Sequence, residues 1–353
     1  MVSFASLAVK ERLGNNSKLS KLSQIIDWPR FDKYLSKIRK SEVSPSNGGR
    51  KPYDNLAMFK LILLGQWNSM SDPELEYAIR IRLDFISFCG FDITRDVPDE
   101  TTICRFRNKL IEKGILEKLL DEVNDQLVGL GLKVERTNLA ILDATIIESN
   151  SRPKNKILEE EIPEDRNEDD FNNKKNNDTQ NTTNFKETKS SDPDATWLKK
   201  GSKSYFGYKS FATTDEEGFI NKTKTVPANE SEINKLEDMI VEANEFAGDK
   251  GYDSKGNREA LRKKGIKTRI MYKKQKNKPM TIWQKRFNKA VSSKRFRVEQ
   301  TFGTLKRRFK FNKASYRTTA KVQAQFTMKA ICLNLLKAVN KVALIPPPEL
   351  QTG

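Results

Sequence analysis

The chain has 353 residues, with 65 Lys plus Arg against 47 Asp plus Glu, a formal charge of +18, three scattered cysteines and no histidine. Without histidine, zinc fingers, HExxH sites and His-based catalytic triads are excluded, so any metal must be held by oxygen. There is no apolar run of 18 residues and no charged-then-apolar leader, which reads as a soluble, cytoplasmic protein with no membrane partner.

The charge is uneven. Residues 255–321 carry 24 basic residues and only two acidic ones, Glu259 and Glu299, so the remainder of the chain is slightly acidic. Concentration of this kind marks a surface that meets a polyanion, and nucleic acid is the leading candidate.

In chain order, residues 1–50 are mixed and polar, with one amphipathic piece around 28–38 and a loop at 44–50. Consecutive helices are expected over 54–130. Asp54 caps the first. Ser71-Asp-Pro-Glu74 has capping-box spacing for the next, Asp99 precedes 103–111, and Gly114 separates that helix from 115–128. Such a unit serves either DNA recognition or packing and dimerisation. Asn138–Ile147 is a short apolar, branched run that reads as a buried strand, interrupted by Asp143. A carboxylate inside a strand costs several kcal/mol unless paired or metal-bound.

Residues 148–194 are acidic, then rich in Asn, Lys and Thr, and read as a long-loop insertion: either an acidic mimic of DNA or a solvated spacer. Residues 205–214 and 219–226 alternate as a hairpin about Asp215-Glu-Glu-Gly218. A helix over 233–243, a strand at 245–249 ending in Asp249, a helix at 255–263 and a strand at 266–272 follow. The basic stretch from Lys294 to Phe309 is helical, as is 324–342, and Pro346-Pro-Pro348 ends the fold. This β-β-β-α-β-α-β-α order describes a mixed α/β sheet with helices on its faces.

Glu299 is the only acidic side chain from 260 to 348. On a helix Val298, Phe302, Leu305 and Phe309 share an apolar stripe, while Arg295, Glu299 and Lys306 share a second at its edge. Either Glu299 pairs with Arg295 in solvent or it holds a cation. Asp143 on a central strand, Asp249 at the end of an adjacent one and Glu299 on a helix across them suit Mg²⁺ or Mn²⁺. Two such ions about 3.5–4 Å apart can drive an in-line phosphoryl displacement. Glu148, Asp215 and Asp253 compete for these roles less well, because they do not sit on strand interiors or ends facing a common site.

With those residues in place the chain resembles the DDE transposases of bacterial insertion sequences, close to the insertion sequence 5 group. Gln66–Glu74 and Val97–Arg107 resemble that group's helical domain, Leu142-Asp-Ala-Thr145 its first catalytic block, and Gly248-Asp-Lys-Gly-Tyr-Asp253 its second. Asp192-Pro-Asp-Ala195 with Phe206-Gly-Tyr-Lys209 resembles its middle region. Arg295-x3-Glu299-x6-Lys306 is similar to its Tyr-Arg-Glu-Lys block, with Ser292 where the tyrosine would stand. The resemblance implies an RNase H-like catalytic core over 135–345, interrupted by the insertion at about 148–194. A helical DNA-binding or dimerisation domain over 1–134 would precede it and a tail, 346–353, follow. It implies Asp143, Asp249 and Glu299 as catalytic metal ligands for two Mg²⁺ or Mn²⁺ ions, and Arg295 and Lys306 as phosphate contacts. Arg297, Arg307, Arg308 and Lys209 are further candidate DNA contacts, and Trp197 either stacks on an unpaired base or packs in the core. The implied activity is cleavage at terminal inverted repeats of double-stranded DNA and joining of 3′-hydroxyls to target DNA, by a dimer or larger assembly at the nucleoid. The alternatives are a DNA-binding regulator derived from a transposase, or a metal-dependent nuclease without strand transfer.

Overall fold

A computed structural model describes residues 11–12, 14, 17–38, 52–153, 155–157, 185–187, 190–275 and 277–344. Most of the expected insertion, the loop at 44–50 and the tail at 346–353 lie outside these residues.

The sheet is built outward from β1 (Thr137–Glu148), a 12-residue strand whose side chains divide between two cores. Leu139, Ile141 and Ile147 enter one apolar cluster, and Ala140 and Leu142 enter the other on the opposite face. That division is the period of two of an extended chain buried on both sides. β5 (Lys203–Thr214) pairs antiparallel with β1 along one edge. Its other edge is shared by β4 (Thr196–Lys200) and β6 (Ile220–Pro227). On the far side β7 (Ala243–Gly248) and β8 (Lys267–Ile270) add in parallel. The path β6-β5-β1-β7-β8, antiparallel and then parallel, is the mixed sheet of an RNase H-like core. Within the insertion, β2 (Asn155–Ile157) and β3 (Phe185–Glu187) form a separate two-stranded pair.

Four of the helices before the sheet start at a side-chain cap. The helices of this part are α1 (Lys18–Ile25), α2 (Asn55–Asn68), α3 (Asp72–Ile81), α4 (Leu83–Cys89), α5 (Glu100–Glu112) and α6 (Leu116–Gly129). Asp54 accepts from Ala57 N at 2.8 Å, and Asp99 accepts from Thr102 N at 2.6 Å. The Ser71/Glu74 capping box is complete, with Pro73 inside the first turn. Residues 28–38 form three short turns, and Arg30 and Lys33 reach from them to the fully buried Glu122 of α6 at 2.8 and 2.6 Å. After the sheet come α7 (Lys255–Lys263), between β7 and β8, then α8 (Ile282–Arg308) and α9 (Thr319–Leu344). α9 packs against α2 and α6 on one side and β5 and β6 on the other, so one apolar cluster runs from Phe31 and Phe59 through to Ile141.

Two expectations need correction. Residues 233–243 are not a helix but two 3₁₀ turns, Glu232–Lys235 and Glu237–Met239. Thr213 Oγ1 donates to the Met239 carbonyl at 2.7 Å, taking an acceptor that a continuing helix would use, and the chain is extended again by Ile240. β4, from Thr196, is an additional strand whose Trp-Leu-Lys-Lys composition gives no periodic signal.

The Asp192-Pro-Asp-Ala motif proves to be a junction. Buried Asp192 accepts from Ser149 Oγ (2.7 Å), Tyr208 Oη (2.5 Å) and Thr318 N (3.1 Å), and Asp194 accepts from Thr319 N (2.7 Å). It ties the end of the insertion to β1, β5 and the start of α9, whose positive end favours the carboxylates. Gly207 explains the glycine of Phe206-Gly-Tyr-Lys209: a Cβ there would lie 2.1 Å from the Ile147 carbonyl oxygen. Gly207→Ala is expected to cost more than about 3 kcal/mol, because backbone rather than a side-chain tip must move. A midpoint in urea within error of wild type would disprove this.

Lys329 of α9 is buried and donates to the Phe309 carbonyl, at the end of α8, at 2.6 Å. Burial pulls its ammonium down to about 8 from the usual 10.5. The unfolded chain therefore holds this proton between pH 8 and 10.5 where the folded chain does not. Stability is expected to rise across that window by up to about 3 kcal/mol. Lys329→Met should flatten that rise in thermal melts taken at several pH values.

Candidate active site

Parallel pairing brings the two aspartates together. The β1–β7 register sets Ile141 beside Ala247, so two residues further along Asp143 stands beside Asp249, with both on the face that carries Ile141 and Ala247. Asp143 thus interrupts an apolar column, and Asp249 caps the 3₁₀ turn Lys250–Tyr252 by accepting from Lys250 N at 2.7 Å.

α8 crosses this face. Its buried stripe is Val291, Arg295, Val298, Thr301, Phe302 and Leu305. Arg295 therefore belongs to the buried stripe, not to an outer stripe with Glu299. Its Nη2 lies 3.1 Å from Asp143 Oδ1 and its Nη1 3.4 Å from Asp249 Oδ1, so one guanidinium bridges both carboxylates. The Arg295 side chain is 10% exposed and Asp143 21%, so removing either partner would leave the other a buried charge without its counter-ion. Burial pushes the Asp143 carboxyl up to about 6. Arg295 pulls against that, while Asp249 and Glu232 add to it. The Arg295 Nε is buried without a partner.

Glu299, one turn further along α8, is exposed. Among the described residues no group of three or more acidic, Cys or His side chains is gathered as a metal site. The structure thus brings Asp143 and Asp249 together and leaves Glu299 beside them in solvent. The donor chemistry still fits a hard divalent cation. It is all oxygen, with a desolvated carboxylate whose charged form is costly until a cation meets it.

Residues 136–335 match the family described as the transposase DDE domain, and residues 7–109 match one described as a transposase domain. The transposase for insertion sequence element IS1106 of Neisseria meningitidis serogroup B is 34% identical over 278 residues, covering 78% of this chain and 88% of that protein. The chain belongs to the DDE transposase family. Among solved structures, the piggyBac transposase synaptic complex with hairpin DNA aligns over 95% of this chain and 75% of its own, at 10% identity and a TM-score of 0.42. The Mos1 mariner paired end complex with Mn aligns over 90% and 94%, at 9% identity and a TM-score of 0.19.

The other residues singled out from the sequence of this transposase fall in distinct places. Lys306 is half-buried. Burial lowers its ammonium, with Lys200 of β4 adding to that and Glu148, the last residue of β1, opposing it. Arg297, Arg307 and Arg308 are exposed on α8. Lys209 is buried, donating to the Glu230 carbonyl at 2.8 Å and lying 3.6 Å from Glu232, so its charge is already engaged. Trp197 is 38% exposed, packs on Phe206 at 5.2 Å and carries the Arg152 guanidinium 5.0 Å over its ring.

Two of the three competing carboxylates, Asp253 and Asp215, have structural partners, while Glu148 is exposed at the end of β1. Asp253 holds Arg258 at 2.8 Å and accepts from Lys273 N at 2.7 Å, while Asp215 accepts from Glu217 N and Phe219 N in its turn. Glu232 is the residue that sequence reasoning missed. It lies on the opposite flank from α8, near Asp143 and Tyr252, and a Cβ on Gly251 would come 2.9 Å from its Oε2. It stands just before the expected helix 233–243, where nothing in the sequence set it apart, and it opens the 3₁₀ turn Glu232–Lys235.

Asp143 carries a stability prediction. Its folded carboxyl titrates near 6 against 3.8 ordinarily, so the folded chain holds the proton more tightly and stability falls as pH rises from about 4 to 6. Asp143→Asn removes that cost and is expected to stabilise the metal-free protein by up to about 3 kcal/mol at pH 7, with the gain vanishing below pH 4. Chemical denaturation at both pH values checks it.

Proposed function

We propose that this protein is a metal-dependent DNA transposase of an insertion sequence of the insertion sequence 5 group. It binds the element's terminal inverted repeats, cleaves phosphodiester bonds there and joins the freed 3′-hydroxyls to target DNA. The observation that carries this is the placing of Asp143 and Asp249 side by side on adjacent parallel strands beneath α8, the helix that holds Glu299 and nine Lys and Arg residues. Asp143 and Asp249 would hold Mg²⁺ or Mn²⁺, two ions in the full assembly, with Glu299 turning in from solvent to complete the set. When bound, such ions activate water or a 3′-hydroxyl and stabilise the departing oxygen.

The chain's own residues do the positioning. Arg295 holds the two carboxylates side by side and offsets part of their mutual repulsion, and its guanidinium passes to a phosphate when cations take over that task. Lys306 with Lys200, and the exposed Arg297, Arg307 and Arg308, line the approach for the backbone. No histidine is available to move protons, so alignment and charge neutralisation carry the reaction. In this reading residues 1–134 form the DNA-binding and dimerisation unit and 135–345 the catalytic unit. The protein works as a dimer or larger assembly on DNA in the cytoplasm. The exposed position of Glu299 favours one second reading, a DNA-binding regulator or nuclease that has lost strand transfer.

Labelled element ends incubated with Mg²⁺ separate these readings: joined products support the transposase, cuts alone the nuclease, and binding alone the regulator. Glu299→Gln and Asp143→Asn are expected to lose cleavage by a factor of at least about 10² while retaining DNA affinity; unchanged cutting by either would remove that residue from the site. Lys306→Ala should weaken binding to all duplexes and reduce the slope of log affinity against log salt by about one.

A further inference from the structure

The first turns of α8 bury little of their surface. From Thr281 to Ala290 no residue is buried, and the first that is buried is Val291. Ile282 is 72% exposed and Trp283 60%. Trp283 is nonetheless fixed. It stacks on Phe287 at 5.3 Å and 23°, and both rings meet Tyr272 at 5.6 and 5.3 Å in edge contacts. Tyr272, just beyond β8, donates its N–H to Asn288 Oδ1 at 2.8 Å and accepts from Asn288 Nδ2 at 3.0 Å, with the Arg258 guanidinium 4.4 Å over its ring. The result is an aromatic ledge, with one face of the Trp283 ring covered by Phe287, an edge contact with Tyr272, and more than half of the residue exposed.

Its surroundings are cationic. Lys273, Lys274 and Lys278 of the preceding loop, and Lys285, Arg286 and Lys289 of the helix, are exposed. No carboxylate occurs between Glu259 and Glu299 in the sequence. A second copy of this chain would bring the same charge against itself. A polyanion with flat apolar faces suits the ledge, and nucleic acid has both. Within a duplex those faces are hidden in the base stack, so only an unpaired nucleotide offers one.

We propose that this ledge holds an unpaired strand that continues from duplex DNA bound at the acidic site, with a base on the open part of Trp283 and phosphates on Lys285 and Lys289. The proposal rests on reading the acidic site as a DNA site. Twelve residues of helix separate Trp283 from Arg295, about 18 Å at 1.5 Å per residue. At about 3.4 Å per base step that is about five nucleotides from the paired aspartates.

The test uses the full chain and two labelled DNAs, a blunt duplex and the same duplex with a single-stranded extension, titrated by fluorescence anisotropy. Wild type should bind the extended DNA more tightly. Trp283→Ala should lose roughly tenfold in affinity for the extended DNA and none for the blunt one, and Trp283→Phe should retain most of the difference. Lys285→Ala with Lys289→Ala should weaken the extended DNA preferentially and flatten its salt dependence. Equal loss on both DNAs, or no loss with Trp283→Ala while the duplex still binds, overturns the ledge and leaves the acidic site standing. Loss of a dimer by Trp283→Ala in light scattering without DNA also overturns it and makes the ledge an interface between copies. Failure of wild type to bind either DNA refutes the acidic-site reading itself.

Discussion

One guanidinium, that of Arg295, reconciles two things the fold would otherwise keep apart. The parallel register of β1 and β7 forces Asp143 and Asp249 side by side, on a face that is otherwise apolar. Two carboxylates so placed repel each other and resist burial. Arg295, reaching from the buried stripe of α8, meets both at 3.1 and 3.4 Å and makes the helix-to-sheet packing possible there. The carboxyl of Asp143 is still pushed up to about 6, so the site retains a demand for positive charge that one arginine does not fully meet.

The rest of the chain holds that contact in place. Gly207 lets β5 and β1 approach closely where the middle motif crosses, and Asp192 and Asp194 bind the returning insertion to the start of α9. α9 in turn lies between the helical layer and the sheet, and Lys329 ties it to the end of α8. Asp192 and Lys329 are polar and buried, and each has its partner, so they fix position. Residues that a family comparison would mark as motif thus divide by physics. Asp143, Asp249 and Arg295 meet at the site, whereas Asp192, Gly207 and Asp253 build the frame around it.

Charge follows the same division. Toward the core, α8 presents one arginine and an apolar stripe. Away from it the helix is studded with cations, and its first turns, from Thr281 to Ala290, hold no buried residue. A long helix can serve both purposes because its faces are independent at 100° per residue.

Capped helices, the apolar strand around Asp143, the hairpin, and the concentration of charge were legible in the sequence, because each is a local property: a cap, a period of two or 3.6, a run of lysines. The same locality failed at 233–243, where composition favoured a helix until a hydroxyl on β5 claimed the Met239 carbonyl, and at β4, whose only signal is its partner strand. The sequence by itself determined that three separated acids and one cationic stretch exist, and that no histidine stands among them. Only the tertiary structure decided that Arg295 turns inward to the aspartates, that Glu299 faces solvent and that Glu232 joins the far flank. Direction across a helix edge is set by what packs against it, and the partners of Arg295 lie 46 and 152 residues away in the chain.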